Sequence, residues 1–235
     1  MNKTTVYMMK NLNSMVALGL CASILTMVGS ATYVFAAATS SFTQTINPGT
    51  LAVDIVDASY VTVSSPSVAM SAVNVAFTCQ TSTGTFGTNT ERIYVSNPDA
   101  ADNGWVVSLA GSAPTAVWDS AGTDFDFNDP NASGCTDGAG DADSLGGQMT
   151  VDPSVGTLTV GQCTGGCTTT NVTTGTSGAF SQGTVDSITV LTGAAGSSDV
   201  GDWKLTDVAI SQKIPSGQPA GSDYDISLTL SVLAS

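Results

Sequence analysis

Tyr224-Asp225-Ile226-Ser227-Leu228-Thr229-Leu230-Ser231-Val232 alternates apolar and polar side chains without a break. A period of two puts Tyr224, Ile226, Leu228, Leu230 and Val232 on one face and the Asp, Ser and Thr residues on the other, so residues 223–232 read as a half-buried β-strand. Working outward, shorter β-rich runs lie at residues 51–56, 68–77, 92–95, 105–109, 149–151, 157–160, 185–191 and 203–210. Turn chemistry separates them at Asn47-Pro48-Gly49, Asn97-Pro98-Asp99, Asp102-Asn103-Gly104, Gly193-Ala194-Ala195-Gly196 and Pro215-Ser216-Gly217. No stretch beyond residue 38 sustains a helical period with a cap at each end. About nine short strands with such turns predict an all-β fold, a single β-sandwich with long Asp/Gly-rich loops. Residues 131–147, mostly Asp, Gly, Ala and Ser, read as a long surface loop. Residues 161–183 read as a second excursion or a pair of edge strands.

The chain has 235 residues, with 5 Lys+Arg against 19 Asp+Glu, no histidine and 42% hydrophobic residues. A net charge of -14 repels phosphate backbones and anionic lipid, because those contacts depend on basic side chains releasing counterions. Nucleic-acid and membrane-surface partners are therefore not expected. The absence of His removes Ser-His-Asp and Cys-His catalysis and His-ligated metal. A mean hydropathy of +0.21 leaves enough apolar surface for a sizeable core. Glu91 is the only Glu, so the negative charge is almost wholly Asp, a residue of turns and loops.

Residues 1–38 have the three parts of an export signal: Lys3 and Lys10, an apolar run at 15–28, and small-residue cleavage triplets at Val34-Phe35-Ala36 and Ala36-Ala37-Ala38. The expected domains are a signal peptide at 1–38 and a secreted β-domain at 39–235. A retained anchor over residues 15–38 is the alternative, because 24 residues just suffice to span. Removal of 1–38 leaves Arg92, Lys204 and Lys213 against all the acidic residues, and four cysteines, Cys79, Cys135, Cys163 and Cys167. An even number in an exported chain predicts disulfides, with three connectivities open. In one of them the short turn Cys163-Thr164-Gly165-Gly166-Cys167 closes on itself and leaves Cys79 with Cys135. A four-Cys zinc site is the competing reading.

The densest carboxylates run through Asp119, Asp124, Asp126, Asn128 and Asp129, followed by Asp137, Asp141 and Asp143. Oxygen ligands at every second residue suit Ca²⁺, which takes six to eight oxygens, and Ca²⁺ is the one cofactor expected. The spacing is not that of an EF-hand: the sixth position from Asp124 is Asp129 and the twelfth is Cys135. In the competing reading Phe125 and Phe127 face the core while the Asp residues face water. An acid/base pair of aspartates has no second signature around it, and nothing near Lys204 or Lys213 suggests an activated hydroxyl, so no enzyme is expected. Asn131-Ala132-Ser133 and Asn171-Val172-Thr173 match glycosylation sequons and would lie in exposed loops. Trp105 and Trp203 read as core residues.

Gly29-Ser30-Ala31-Thr32-Tyr33-Val34-Phe35-Ala36, then Ser41-Phe42-Thr43, then Asn47-Pro48-Gly49-Thr50-Leu51-Ala52-Val53-Asp54 resembles the start of the TasA/camelysin family of exported biofilm-matrix proteins. The resemblance covers about an eighth of the chain. It implies a jelly-roll-like β-sandwich that polymerises outside the cell, an N-terminal strand of one subunit completing the sheet of the next. Camelysin-like members are also described as metalloproteases, a chemistry that a chain without His cannot carry. Asn103-Gly104-Trp105-Val106-Val107-Ser108-Leu109, with Ile214-Pro215-Ser216-Gly217 and residues 224–230, is similar to the WxL cell-wall-binding domains. Trp203-Lys204-Leu205 is a Trp-x-Leu tripeptide, but the expected second Trp is missing from the last strand.

The functional expectation is an extracellular structural protein that self-assembles into cell-surface fibres, matrix or a surface layer. Strand edges extended by another copy give that expectation a physical basis independent of the family. Residues 39–56 are the candidate donor, with Phe42 and Ile46 on one strand face and Gln44 between them. The alternative is a monomeric module that binds cell-wall or matrix glycan.

Overall fold

A computed structural model describes residues 41–138, 144–198 and 200–235. The segment read as an export signal, and Asp141 and Asp143, lie outside the described residues. The chain divides into two units, residues 1–46 and 47–235. In the first, residues 41–46 are irregular and exposed.

The second unit is all-β and sandwich-like. Trp105, Val107 and Leu109 recur at every second position of β4 (Trp105–Gly111) and are buried, while the residues between them are half-buried. The same alternation buries Ile93 and Val95 of β3 (Arg92–Asn97) and Met149 and Val151 of β7 (Gln148–Asp152). The remaining strands are β1 (Ala52–Val56), β2 (Gln80–Phe86), β5 (Val117–Trp118), β6 (Phe125–Asp126), β8 (Thr157–Val160), β9 (Val172–Thr174), β10 (Gly178–Ala179), β11 (Ser187–Gly193), β12 (Gly201–Thr206), β13 (Val208–Ile214) and β14 (Leu228–Ala234). They form three four-stranded antiparallel sheets, in the orders β1-β3-β12-β8, β10-β7-β13-β2 and β14-β4-β11-β9, and a β5-β6 ribbon. Side chains from all three sheets meet in one core that includes Phe86, Ile93, Trp105, Met149, Leu191 and Trp203.

The sequence reading needs correction in three places. Residues 203–210 are two strands, β12 and β13, which belong to different sheets and are separated by Asp207, whose φ is 64°. Aspartate is one of the few side chains that accept this left-handed region, so the chain can pass from one sheet to the next at this single residue. Residues 68–77 form no strand. One main-chain bond, Ser71 N to Thr83 O at 2.7 Å, holds them to β2. The Ser71 hydroxyl accepts from Thr83 N at 2.9 Å in place of a further ladder bond. In the last strand, regular pairing with β4 begins only at Leu228, and Asp225 makes an isolated bridge to Asp119.

Residues 161–183 supply β9 and β10, each the outer strand of its sheet. Cys79 is paired with Cys135 (Cα–Cα 5.4 Å) and Cys163 with Cys167 (6.0 Å), which answers the connectivity question and leaves no thiol among these four for zinc. Among the described residues no helix is long and apolar enough to cross a membrane.

Candidate functional site

The acid-rich segment is built on β6 and the residues that follow it. Phe125 and Phe127 are buried, as their alternation predicts, but Asp126, Asn128 and Asp129 are equally buried, each 1% exposed. The solvent-facing Asp pattern therefore fails here. Backbone pairing on both sides is the reason: β5 flanks Phe125 and Asp126, while Asp126 N donates to Gly146 O at 3.0 Å and Asp129 N to Gly147 O at 2.9 Å. Gly147 has a φ of +142°, and a Cβ there would collide with the Asp126 carbonyl, so only glycine lets the two strands approach this closely.

Each buried side chain is tied down by hydrogen bonds. Asp126 Oδ1 accepts from Phe127 N at 2.7 Å and from Asn128 N at 3.4 Å. Asn128 Nδ2 donates to Pro114 O at 2.9 Å, and Asp129 Oδ1 accepts from Asn131 N at 2.8 Å. Two glutamines join from elsewhere in the chain, Gln212 from β13 and Gln182 from the turn that follows β10: Gln212 Nε2 donates to Asp126 O at 3.0 Å, and Gln182 N to Asn128 O at 2.9 Å.

The other two acidic residues of the five-ligand reading stand apart from this group. Asp119 is exposed and exchanges main-chain bonds with Asp225 at 2.8 and 3.0 Å. Asp124 Oδ1 accepts from Ser120 N at 3.0 Å. Asp223 closes the same turn, and the Ala121 amide, then the Ser120 hydroxyl, hold its carboxyl below the usual range. Asp137 is exposed. Among the described residues no group of three or more His, Cys, Asp or Glu side chains is placed to hold a metal.

Sequence reasoning missed a second polar centre, Asp202, which is 6% exposed in β12. Its Oδ2 accepts from the Tyr94 hydroxyl at 2.6 Å and from Gln162 N at 2.6 Å, and its Oδ1 from Cys163 N at 2.8 Å. One carboxylate thus fixes the turn that enters the Cys163–Cys167 loop. The only signal for it was an acid set between Gly201 and Trp203 in a strand, a place where aspartate is disfavoured unless its oxygens are used. Burial, reinforced by the bond to Asp202, pushes the Tyr94 phenol up from 10.0 to about 12. The unfolded chain then loses this proton at lower pH than the folded one, so Tyr94 adds stability that is complete below pH 10.0 and is lost as pH rises through about 12. Urea titrations across that window should show stability falling in the wild type and a shallower slope in Tyr94→Phe; equal slopes would refute the linkage.

Between the β5-β6 ribbon and the inner face of β13 lies a groove of about 630 Å³ lined by Val75, Gln80, Trp118, Phe125, Gln212 and Tyr224 among others, none of them charged. Trp118 stacks on Phe125 at 5.8 Å, and Tyr224 meets Phe125 edge-on at 5.2 Å. Trp105 and Trp203 pack in the core, as read from the sequence. Both sequon asparagines are exposed, and their amides are engaged: Asn131 with Thr136 and Asp137, and Asn171 with Gly196. Phe42 and Ile46, the candidate donor residues, are 94% and 86% exposed. No protein-family model, no curated protein and no solved structure matches this chain.

Proposed function

We propose that this chain is an exported, non-enzymatic structural subunit that self-assembles at the cell surface into fibres, matrix or a surface layer, by adding its N-terminal segment as a strand to another copy. The observation that carries this reading is the pair Phe42 and Ile46. Both are large apolar side chains left in water, four residues apart and so on one face of an extended strand. Residues 41–46 contain no charge, so they can approach a strongly acidic copy without repulsion. One of the sheets ends on a seven-residue outer strand, β14, long enough to accept a partner. The sharing of one core by three sheets is compatible with a jelly-roll-like sandwich, and the paired cysteines with an oxidising compartment outside the cell.

A second reading, a monomeric module for cell-wall or matrix glycan, is favoured by the uncharged aromatic groove at Trp118 and Tyr224. One experiment separates the two. Deleting residues 39–46 should abolish the polymers seen by electron microscopy and leave a folded monomer. Polymers that persist unchanged would rule out donor-strand assembly, and sedimentation of a strictly monomeric wild type with isolated cell wall would favour the glycan reading.

A further inference from the structure

β1 and β14 are each the outer strand of a sheet. Val53 and Ile55 of β1 and Leu228, Leu230 and Val232 of β14 pack against the core yet stay only half-buried. Residues 66–70 are anchored beside them: Ser67 N donates to Glu91 Oε2 at 3.2 Å, and Val68 and Met70 rest on Gly84 of β2, where a Cβ would come within 2.6 Å of Met70 Sδ. Among these elements lies a cavity of about 320 Å³, lined by Ile55, Met70, Leu109, Trp118, Ile226 and Leu228 among others. Its walls are apolar apart from Ser67, Tyr224 and two acids, Glu91 and Asp225, and no basic side chain is among them. Met70, Trp118 and Tyr224 also border the uncharged aromatic groove, but the floor of this cavity is the core itself, through Phe86, Leu109, Met149 and Ile210.

Protein interiors hold few voids larger than one water, and this one is about ten times the ~30 Å³ share of a water molecule. Its aliphatic walls offer water few partners, and left empty they forfeit dispersion contacts. Size and make-up both match a small-molecule site, which has a volume of about 300 Å³ or more, apolar walls and a few polar groups. We infer that this cavity binds a small apolar ligand with a single alkyl chain and an uncharged or cationic head. The volume admits one chain. The two acids select the head: Asp225 is exposed and Glu91 half-buried, so both place negative charge on the solvent side of the apolar walls. A carboxylate head is repelled there, whereas a hydroxyl can donate to these acids and an ammonium can pair with them. This site is independent of self-assembly, and its failure would leave that reading untouched.

The test uses the intact purified chain and N-phenyl-1-naphthylamine, an uncharged apolar dye that fluoresces out of water, with decanol, decylamine and decanoate as competitors of one chain length and three head charges. The dye should bind saturably, and decanol and decylamine should each displace it at a concentration about tenfold or more below that of decanoate. Ile226→Trp, which fills the cavity from a half-buried wall, should lose dye binding, while Leu233→Trp, on the exposed side of β14, should keep it. Absence of saturable dye binding in the wild type overturns the proposal, and this arm does not depend on any variant folding. Equal binding by the two variants overturns it by placing the dye elsewhere, and displacement by decanoate as readily as by decanol overturns the assigned head group. Dye that binds only after residues 39–46 are deleted also overturns it, since the cavity would then seat that segment of the chain.

Discussion

Trp203→Ala is expected to lower the unfolding free energy by about 4 kcal/mol, the largest effect of any single side-chain truncation in the core. Trp203 is fully buried in β12, the strand that joins β3 to β8. Its ring lies 5.3 Å from that of Trp105, and its Nε1 donates to Thr168 O at 2.8 Å. Truncation therefore leaves a cavity, removes a ring contact and strips a loop carbonyl of its donor. The site cannot easily collapse into that space. Glycines make room for both rings: a Cβ at Gly201 would sit 2.9 Å from the Trp203 ring, and one at Gly193 would overlap Trp105. Urea unfolding followed by circular dichroism measures the loss, and Trp203→Phe should recover part of it. A loss below about 1 kcal/mol would mean that the pair is not central to the core.

The core was legible because its strands alternate. Ile93/Val95, Trp105/Val107/Leu109 and Met149/Val151 announce one buried face each, and the structure buries those faces. Strand β2 was hidden for the opposite reason. Gln80-Thr81-Ser82-Thr83-Gly84-Thr85-Phe86 carries one large apolar residue and forms through seven register pairs with β13. Residues 68–77 show the converse failure. Val73, Val75 and Phe77 alternate as a strand would, yet they are exposed and Phe77 is almost wholly so, because hydrogen bonding to a neighbour and not apolar content decides what becomes a strand. The candidate site divides in the same way. Asp126, Asn128 and Asp129 were visible as a local cluster, but Gln182 and Gln212 reach it only through tertiary pairing, and Asp202 is tied to residues 40 and 108 positions away in the chain.

The two cysteine pairs should differ sharply in what they contribute. Cys79 and Cys135 are separated by 56 positions, and Cys163 and Cys167 by 4. Cross-linking removes loop-closure entropy from the unfolded chain and does so more for longer loops. Replacing Cys79 and Cys135 together by serine should therefore cost about 4 kcal/mol, against about 2 kcal/mol for the Cys163/Cys167 pair. The long cross-link also has a local consequence. It joins residues 64–79, weakly held at the edge of β2, to the turn at residues 131–138 that packs over Asp129. Its loss should loosen that turn, whereas loss of the short cross-link should leave the turn intact. Urea unfolding of each double-serine variant measures the first effect, and amide hydrogen exchange at residues 131–138 the second. Equal destabilisation by the two would show that the gain comes from native-state packing around the sulfurs and not from the length of chain enclosed.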